Sequence, residues 1–308
     1  MLGRGVSANP GVRFVGVYDP RRVRAQSISK QFGGKAYPSL EELLADDRVE
    51  AVHVLTPAEH HVEPALASLK AGKHVLVEKP VAWRAAAIRK LSEAASQYGR
   101  VCMPAHNCIY MSALRRAKRL IEDVGLGAIA SSWILYNVFH PVELSIRHGG
   151  VIRAVGVHLA YSLLYLLGRP RQMMAVVSRV RHGKLTCDRQ AMIVCEMPNG
   201  ATANLWSSFA AKDLRHDPWT VVYKILGTRG SGSYTWNEAQ VEDDRGPAWG
   251  FPCYEESFAN EIHYFVNQCI RAGRPPLSTL GDAADALRIL QAAERSVRRG
   301  TIETINCD

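Results

Sequence analysis

From Val12 to His106, short apolar runs alternate with stretches whose apolar residues recur every three or four positions. "VRFVGVYD" (12–19), "EAVHVLTP" (50–57), "HVLVEK" (74–79) and "VCMPAH" (101–106) have the apolar, largely β-branched centres of strands covered on both faces. Between them, "PRRVRAQSISKQFG" (20–33), "SLEELLADDRV" (39–49), "HHVEPALASLKAG" (60–72) and "RAAAIRKLSEAASQYG" (84–99) read as helices. Pro20 suits a first helical turn, Gly33 and Gly34 close that helix, and Ser39 with Glu42 forms a capping box. Such alternation predicts a parallel sheet with right-handed crossovers.

After Asn107 the texture changes. A helix (112–124), a strand (128–139) and a helix near 151–167 lead into longer strands of alternating polarity: "QMMAVVSRVR", "RQAMIVCEMP", "ATANLWSSFA", "WTVVYKILGTRG" and "GSYTWN". "PNG" supplies a hairpin turn between the second and third of these. Helices at 256–273 and 281–300 end the pattern. The expected fold is α/β. A Rossmann-like parallel sheet spans 1–106, and an α+β domain with a large, mostly antiparallel open sheet spans 107–308. The last helix is expected to pack back on the first domain. Neither an internal repeat nor a low-complexity linker interrupts the chain.

A length of 308 residues suits two domains, and 47% hydrophobic residues supply a sizeable core. The net charge of +9 raises nucleic acid as a partner. However, the basic residues (Arg21, Arg22, Arg24; Arg115, Arg116, Lys118; Arg295, Arg298, Arg299) are dispersed at helical spacing without interleaved aromatics, so that partner is not expected. No apolar run reaches the length of a membrane span, and "MLGRGVSANPGVRF" lacks the apolar centre of a signal peptide. Seven cysteines without a C-x-x-C pair fit reduced thiols in a cytoplasmic protein better than disulfides or a zinc site. No metal site is expected.

The candidate chemistry lies where Val75–Val77 run into Glu78, Lys79 and Pro80. Ligands of open α/β sheets bind at the carboxyl ends of strands. A lysine held at the rim of such a crevice can donate a proton or polarise an oxygen.

"NPGVRFVGVYDP", "LTPAEHHVEPALASLKAGKHVLVEKPVA" and "AGRPPLSTLGDAADALRILQAAERSVRRG" resemble, in order and spacing, recurring segments of the Gfo/Idh/MocA family of NAD(P)-dependent sugar and cyclitol dehydrogenases. The resemblance runs from about residue 9 to the C-terminus. It implies that Asp19 holds the adenosine ribose hydroxyls, where a carboxylate accepts from a diol, repels a 2′-phosphate and so favours NAD over NADP. Arg21 or Arg22 nearby softens that preference. Thr56 and Pro57 match the turn along the cofactor, His61 the histidine after it, and Asn107 a polar residue close to the nicotinamide ribose. Lys79 matches the active-site lysine, oriented by Glu78. Asp19 read by itself is equally a helix cap, and His61 a solvated residue opening a helix.

"HGGVIRAVGVHLAYSLLYLLG" (148–168) resembles the family's Gly-Gly-x-x-x-Asp-x-Gly-x-His-x-x-Asp stretch. His158 falls in register with its catalytic histidine, but Ala154 and Tyr161 replace the two aspartates. The resemblance makes His158 the base and Lys79 the charge that favours the alkoxide, both facing one substrate cavity. Arg147, His148 and Tyr161 become substrate contacts, the first two for an anionic substituent or else a solvated loop. Homo-oligomers through the second domain's sheet are also implied, with Trp206 and Trp219 as contributors.

The family's Gly-x-Gly-x-x-Gly fingerprint belongs about fifteen to twenty residues before "NPGVRF". Only eight residues precede Asn9, and "LGRG" (2–5) is a weak counterpart. The first strand, central in this fold, is expected to be missing. Omitting about five buried side chains costs on the order of 10 kcal/mol, comparable with a domain's whole stability. Three accounts stay open. The start is internal to a longer dehydrogenase; or the chain is short, does not bind NAD(P) and serves as a sugar-binding or regulatory subunit; or it is a non-redox acid–base enzyme.

Overall fold

The computed structural model describes Val6 and residues 9–178, 188–210, 219–235, 241–243, 246–248 and 251–305. The chain forms two compact units, Met1–Tyr110 with Glu255–Ala284, and Met111–Tyr254 with Asp285–Asp308.

The first unit alternates strands and helices in the expected order: β1 (Gly16–Val17), α1 (Arg22–Phe32), β2 (Lys35–Ala36), α2 (Leu40–Ala45), β3 (Ala51–Val54), α3 (Val62–Lys70), β4 (His74–Glu78), α4 (Ala85–Gln97) and β5 (Cys102–Ala105). β3, β4 and β5 form a parallel sheet in that order, with Val54 opposite Val77 and Val77 opposite Pro104. Among the described residues, β1 pairs in parallel with β2 alone. The predicted strand 12–19 therefore shrinks to two ladder residues, because among the described residues it is hydrogen-bonded to a strand on one short edge only. A Cβ on Gly16 would stand 2.2 Å from the Lys35 carbonyl oxygen, so only glycine permits this pairing. The contrast between β3 and β4 has the same cause. Val75, Leu76 and Val77 of doubly bonded β4 are at most 1% exposed. Residues 51–53 of β3, bonded on one edge among the described residues, remain half-buried. Tyr37, Leu43 and Val49 form a small core on which Val15 and Val52 both pack.

Helix α1 begins two residues later than Pro20 predicts. The Asp19 carboxylate accepts the Arg21 N–H at 2.7 Å and closes a turn ahead of the helix. Ser39 caps α2 as expected, accepting the Glu42 N–H at 3.2 Å.

The second unit contains α5 (Ser112–Val124), β6 (Ile129–Val138), α6 (Val142–Arg147), α7 (Val151–Ala154), α8 (Gly156–Leu167), β7 (Gln172–Val177), β8 (Gln190–Glu196), β9 (Thr202–Ser208), β10 (Trp219–Gly227) and β11 (Ser231–Thr235). β12 (Val241–Asp243) and β13 (Gly246–Ala248) form a separate hairpin. With β14 (Glu303–Thr304) the large sheet runs β11-β10-β6-β9-β8-β7-β14. All its pairings are antiparallel except β6 with β9. Its strands alternate buried and exposed positions, the mark of a sheet covered on one face. The other face exposes Trp133, Met174, Val176, Met192 and Val194.

The remaining helices are α9 (Phe251–His263), continued by a π-helical stretch over Tyr264–Arg271, and α10 (Leu280–Arg299). α9 and the π stretch belong to the first unit, which the chain thus re-enters after the large sheet. α10 contributes its first turn to the first unit and the rest to the second.

Candidate functional site

In the first unit the sequence candidates follow the carboxyl ends of parallel strands: Asp19 after β1, Thr56 and Pro57 after β3, Glu78 and Lys79 at the end of β4, and Asn107 after β5. His61 is not a solvated cap neighbour. It is 1% exposed, with Nδ1 3.0 Å from the Pro80 carbonyl oxygen and Nε2 2.5 Å from that of Thr56. It thereby ties the turn after β3 to the segment carrying Lys79. Thr56 and Pro57 stay exposed, and the Thr56 hydroxyl donates to the His60 carbonyl. Arg22 is exposed on the first turn of α1.

The Lys79 main-chain N–H donates to Glu78 Oε2 at 3.1 Å, and Glu78 Oε1 lies 3.7 Å from His53 Nε2. Burial pushes the Glu78 carboxyl upward, but His53 and Lys79 together outweigh it and hold the group below the usual range. Burial lowers Lys79, against the pull of Glu78. The Lys79 side chain is half-buried and its ammonium has no hydrogen-bond acceptor among the described residues.

Sequence reasoning missed the shell behind this lysine. His106, 1% exposed, meets the Ser278 hydroxyl at 2.7 Å, and burial followed by the Lys79 charge depresses it to about 3. Asn107, 2% exposed, donates to Ser257 Oγ at 3.1 Å. Glu261, one turn beyond Ser257 on α9, is fully buried, and neither of its carboxyl oxygens has a hydrogen-bond partner among the described residues. Burial and then the Glu78 charge drive it well above the carboxylate range. The four-residue spacing of Ser257 and Glu261 on an amphipathic helix was the available signal, but nothing local says which unit that helix joins.

In the second unit, Gly149 and Gly150 end α6 with φ of 71° and 94°. A Cβ on Gly150 would lie 2.3 Å from Asp188 Oδ1. This close approach lets Asp188 hold the start of α7, its main-chain carbonyl accepting the Val151 N–H and its carboxylate the Ile152 N–H. The helical path then continues into α8 and His158. His158 is 5% exposed, with Nδ1 2.6 Å from the hydroxyl of Tyr161, which is itself 1% exposed. The Tyr136 ring of β6 lies 5.6 Å from the imidazole. Arg147 and His148 are exposed, and the His148 ring stands 6.1 Å from that of His140. Ala154 is half-buried on α7.

A family model described as "Oxidoreductase family, NAD-binding Rossmann fold" matches residues 2–106, and the Gfo/Idh/MocA C-terminal domain model matches residues 114–233. The chain belongs to the Gfo/Idh/MocA oxidoreductase family. Among curated members it is 24% identical over 315 residues to the scyllo-inositol 2-dehydrogenase (NAD(+)) of Bacillus subtilis strain 168, covering 96% of this chain and 89% of that one. A solved myo-inositol dehydrogenase from Corynebacterium glutamicum superposes with a TM-score of 0.86 at 18% identity over 100% of this chain and 95% of the other. GenD2 from gentamicin A biosynthesis, solved with NAD, gives 0.87 at 24% over 99% and 93%. Within this Gfo/Idh/MocA oxidoreductase the first unit carries the strand-end lysine and the second the helix-borne histidine.

Proposed function

We propose that this protein moves a hydride between a nicotinamide dinucleotide and a hydroxyl-bearing carbon of a sugar, sugar derivative or cyclitol. One observation carries the reading: Lys79 ends a buried strand with its ammonium unclaimed by any protein acceptor among the described residues, beside an ionised Glu78. The residues at the strand ends fit the cofactor. Asp19 commits Oδ1 to the Arg21 N–H and leaves Oδ2 for a ribose diol. The exposed Thr56–Pro57 turn and Asn107 follow the neighbouring strands. Bound nicotinamide supplies the hydride acceptor. Lys79 stabilises negative charge on the substrate oxygen, and His158 takes the hydroxyl proton. In the tautomer whose Nδ1–H donates to the Tyr161 hydroxyl, Nε2 carries the lone pair that a base needs. The inositol dehydrogenase among the relatives supports a substrate that bears several hydroxyls.

Titration with NADH and NADPH, followed by nicotinamide fluorescence, tests the proposal. Both bind, NADH more tightly, because Asp19 repels a 2′-phosphate more than exposed Arg22 attracts it. No binding of either at millimolar concentration overturns the redox reading. A second reading, a cofactor-free sugar-binding or acid–base protein, draws on β1 and β3, each bonded to one strand only among the described residues. The same titration separates the two. Tyr161→Phe removes the hydroxyl that orients His158, and kcat falls about tenfold with KM little changed. Steady-state kinetics check this, and an unchanged kcat refutes the assigned roles of Tyr161 and His158.

The exposed apolar face around Trp133, Met192 and Val194 supports a homo-oligomer built on this sheet. Trp206 lies on β9 of the sheet, its indole Nε1 without a hydrogen-bond partner among the described residues; the side chain of Trp219 falls outside the described residues. Buried free thiols at Cys102, Cys108, Cys195 and Cys269 support a reducing, cytoplasmic setting.

A further inference from the structure

Arg189, immediately before β8, is a buried cation with no anionic partner among the described residues, its guanidinium carbon 6.0 Å from the centre of the Phe139 ring. It is 7% exposed, and its Nη2 donates to two neutral acceptors, the carbonyl oxygens of His140 at 2.6 Å and Phe209 at 2.8 Å. Its Nε is buried without a hydrogen-bond partner among the described residues. Among the described residues no carboxylate lies within ion-pair distance. The adjacent Asp188 turns to the N-terminus of α7 instead. Burying a guanidinium on neutral acceptors alone is costly, so such a charge calls for an anion.

The location matches the proposed chemistry. His140 follows the carboxyl end of β6 and Phe209 that of β9. β8 runs antiparallel to β9, so Arg189 sits at the same end of the sheet. Tyr136, which packs on His158, is two residues from the end of β6. Asp188 joins this end to the helical path that leads to His158. His148 adds a second imidazole beside that of His140. Burial, His148 and Arg189 all hold His140 below the usual histidine range, so the cluster limits its own positive charge rather than supplying a counterion. Ala154, where the resemblance leads one to expect an aspartate, removes a negative charge from the same segment.

We propose that Arg189, flanked by His140 and His148, receives an anionic substituent, a carboxylate or phosphate ester, on the sugar-like substrate. The substrate is then a sugar acid or sugar phosphate rather than a neutral polyol. This inference rests on the oxidoreductase reading only for the substrate's identity as a sugar derivative, and binding measured without turnover separates the two.

The test is calorimetric binding of D-glucuronate, D-glucose 6-phosphate and D-glucose to the full chain, with and without saturating NADH. At least one anion binds roughly tenfold or more tightly than glucose, since hydrogen bonds to a charged group are about twice as strong as neutral ones. Glucuronate as the tighter anion identifies a carboxylate, and the phosphate ester as the tighter one identifies a phosphate. Arg189→Met brings the preferred anion down to the glucose affinity and leaves glucose itself unchanged. Arg189→Lys keeps the charge without the planar fork and retains part of the preference. Equal affinities for glucose and both anions in the wild type, or an equal loss for all three in Arg189→Met, would overturn the inference. The wild-type ratio decides alone if the methionine variant does not fold. If anion selectivity persists while NADH fails to bind, the subsite stands and the redox reading falls.

Discussion

Replacing Lys79 by Met lowers kcat/KM by roughly 10³-fold or more while NADH affinity stays within about threefold, because the lost group acts on charge that develops only in the transition state. The side chain ends a strand whose preceding residues are closed into the core, so its position is set by β4 rather than by its own contacts. Its ammonium makes no protein hydrogen bond among the described residues, and methionine keeps most of the aliphatic stem. The substitution therefore removes a charge without opening a cavity. Glu78 loses one of its stabilising partners but keeps His53. Thermal melting then changes little while turnover collapses. Lys79→Arg restores the charge in a wider, planar group and recovers only part of the rate. Steady-state kinetics beside NADH fluorescence separate these effects, and a Lys79→Met enzyme with undiminished kcat/KM would remove the lysine from the mechanism.

The second large effect is on stability against acid. His106 is depressed in the fold to about 3 from its ordinary 6.5. The unfolded chain therefore takes up the proton first as pH falls, and the stability present above 6.5 drains away between that value and 3. At about pH 4 the loss from this one group is on the order of 3 kcal/mol. His106→Gln removes the titrating ring. At neutral pH it costs about 1–3 kcal/mol through altered packing and the changed bond to Ser278. The two stability curves then converge on acidification and meet between about pH 6 and 4, where the two costs are equal. Urea denaturation midpoints at several pH values read this directly. Parallel curves from neutrality to pH 4 would show that the imidazole is not held neutral by its surroundings. Glu261 works in the opposite direction: its raised carboxyl is neutral in the fold, so its contribution falls as pH rises from 4.5.

The fold was legible wherever a local pattern decides it. The apolar run of β4, the capped start of α2 and the span of α5 lie where periodicity and capping residues put them. Asp19 shows the limit of a local rule, since its carboxylate closes a turn that displaces the helix start from Pro20. The predicted helix at 151–167 breaks into α7 and α8 at Val155, which the run of apolar residues conceals. The helix predicted over 256–273 contains a π-helical second half, and no spacing in "YFVNQCIR" announces it. Among the candidate residues, Lys79 stood out as a charge ending an apolar strand, whereas His158 entered only through its register with the family's Gly-Gly stretch. His106, Glu261 and Arg189 did not stand out, since each is an ordinary residue until its surroundings are known.

By itself the sequence determined which segments become strands and helices, which family they resemble, and that a lysine ends the most apolar strand. Those properties follow from residue type and spacing along the chain. The tertiary structure alone decided that residues 255–284 return to the first unit, that His61 bridges two turns, and that Arg189 is buried against carbonyls with no carboxylate partner among the described residues. Burial and electrostatic environment depend on what packs around a side chain from distant segments, and no short window of sequence contains that information.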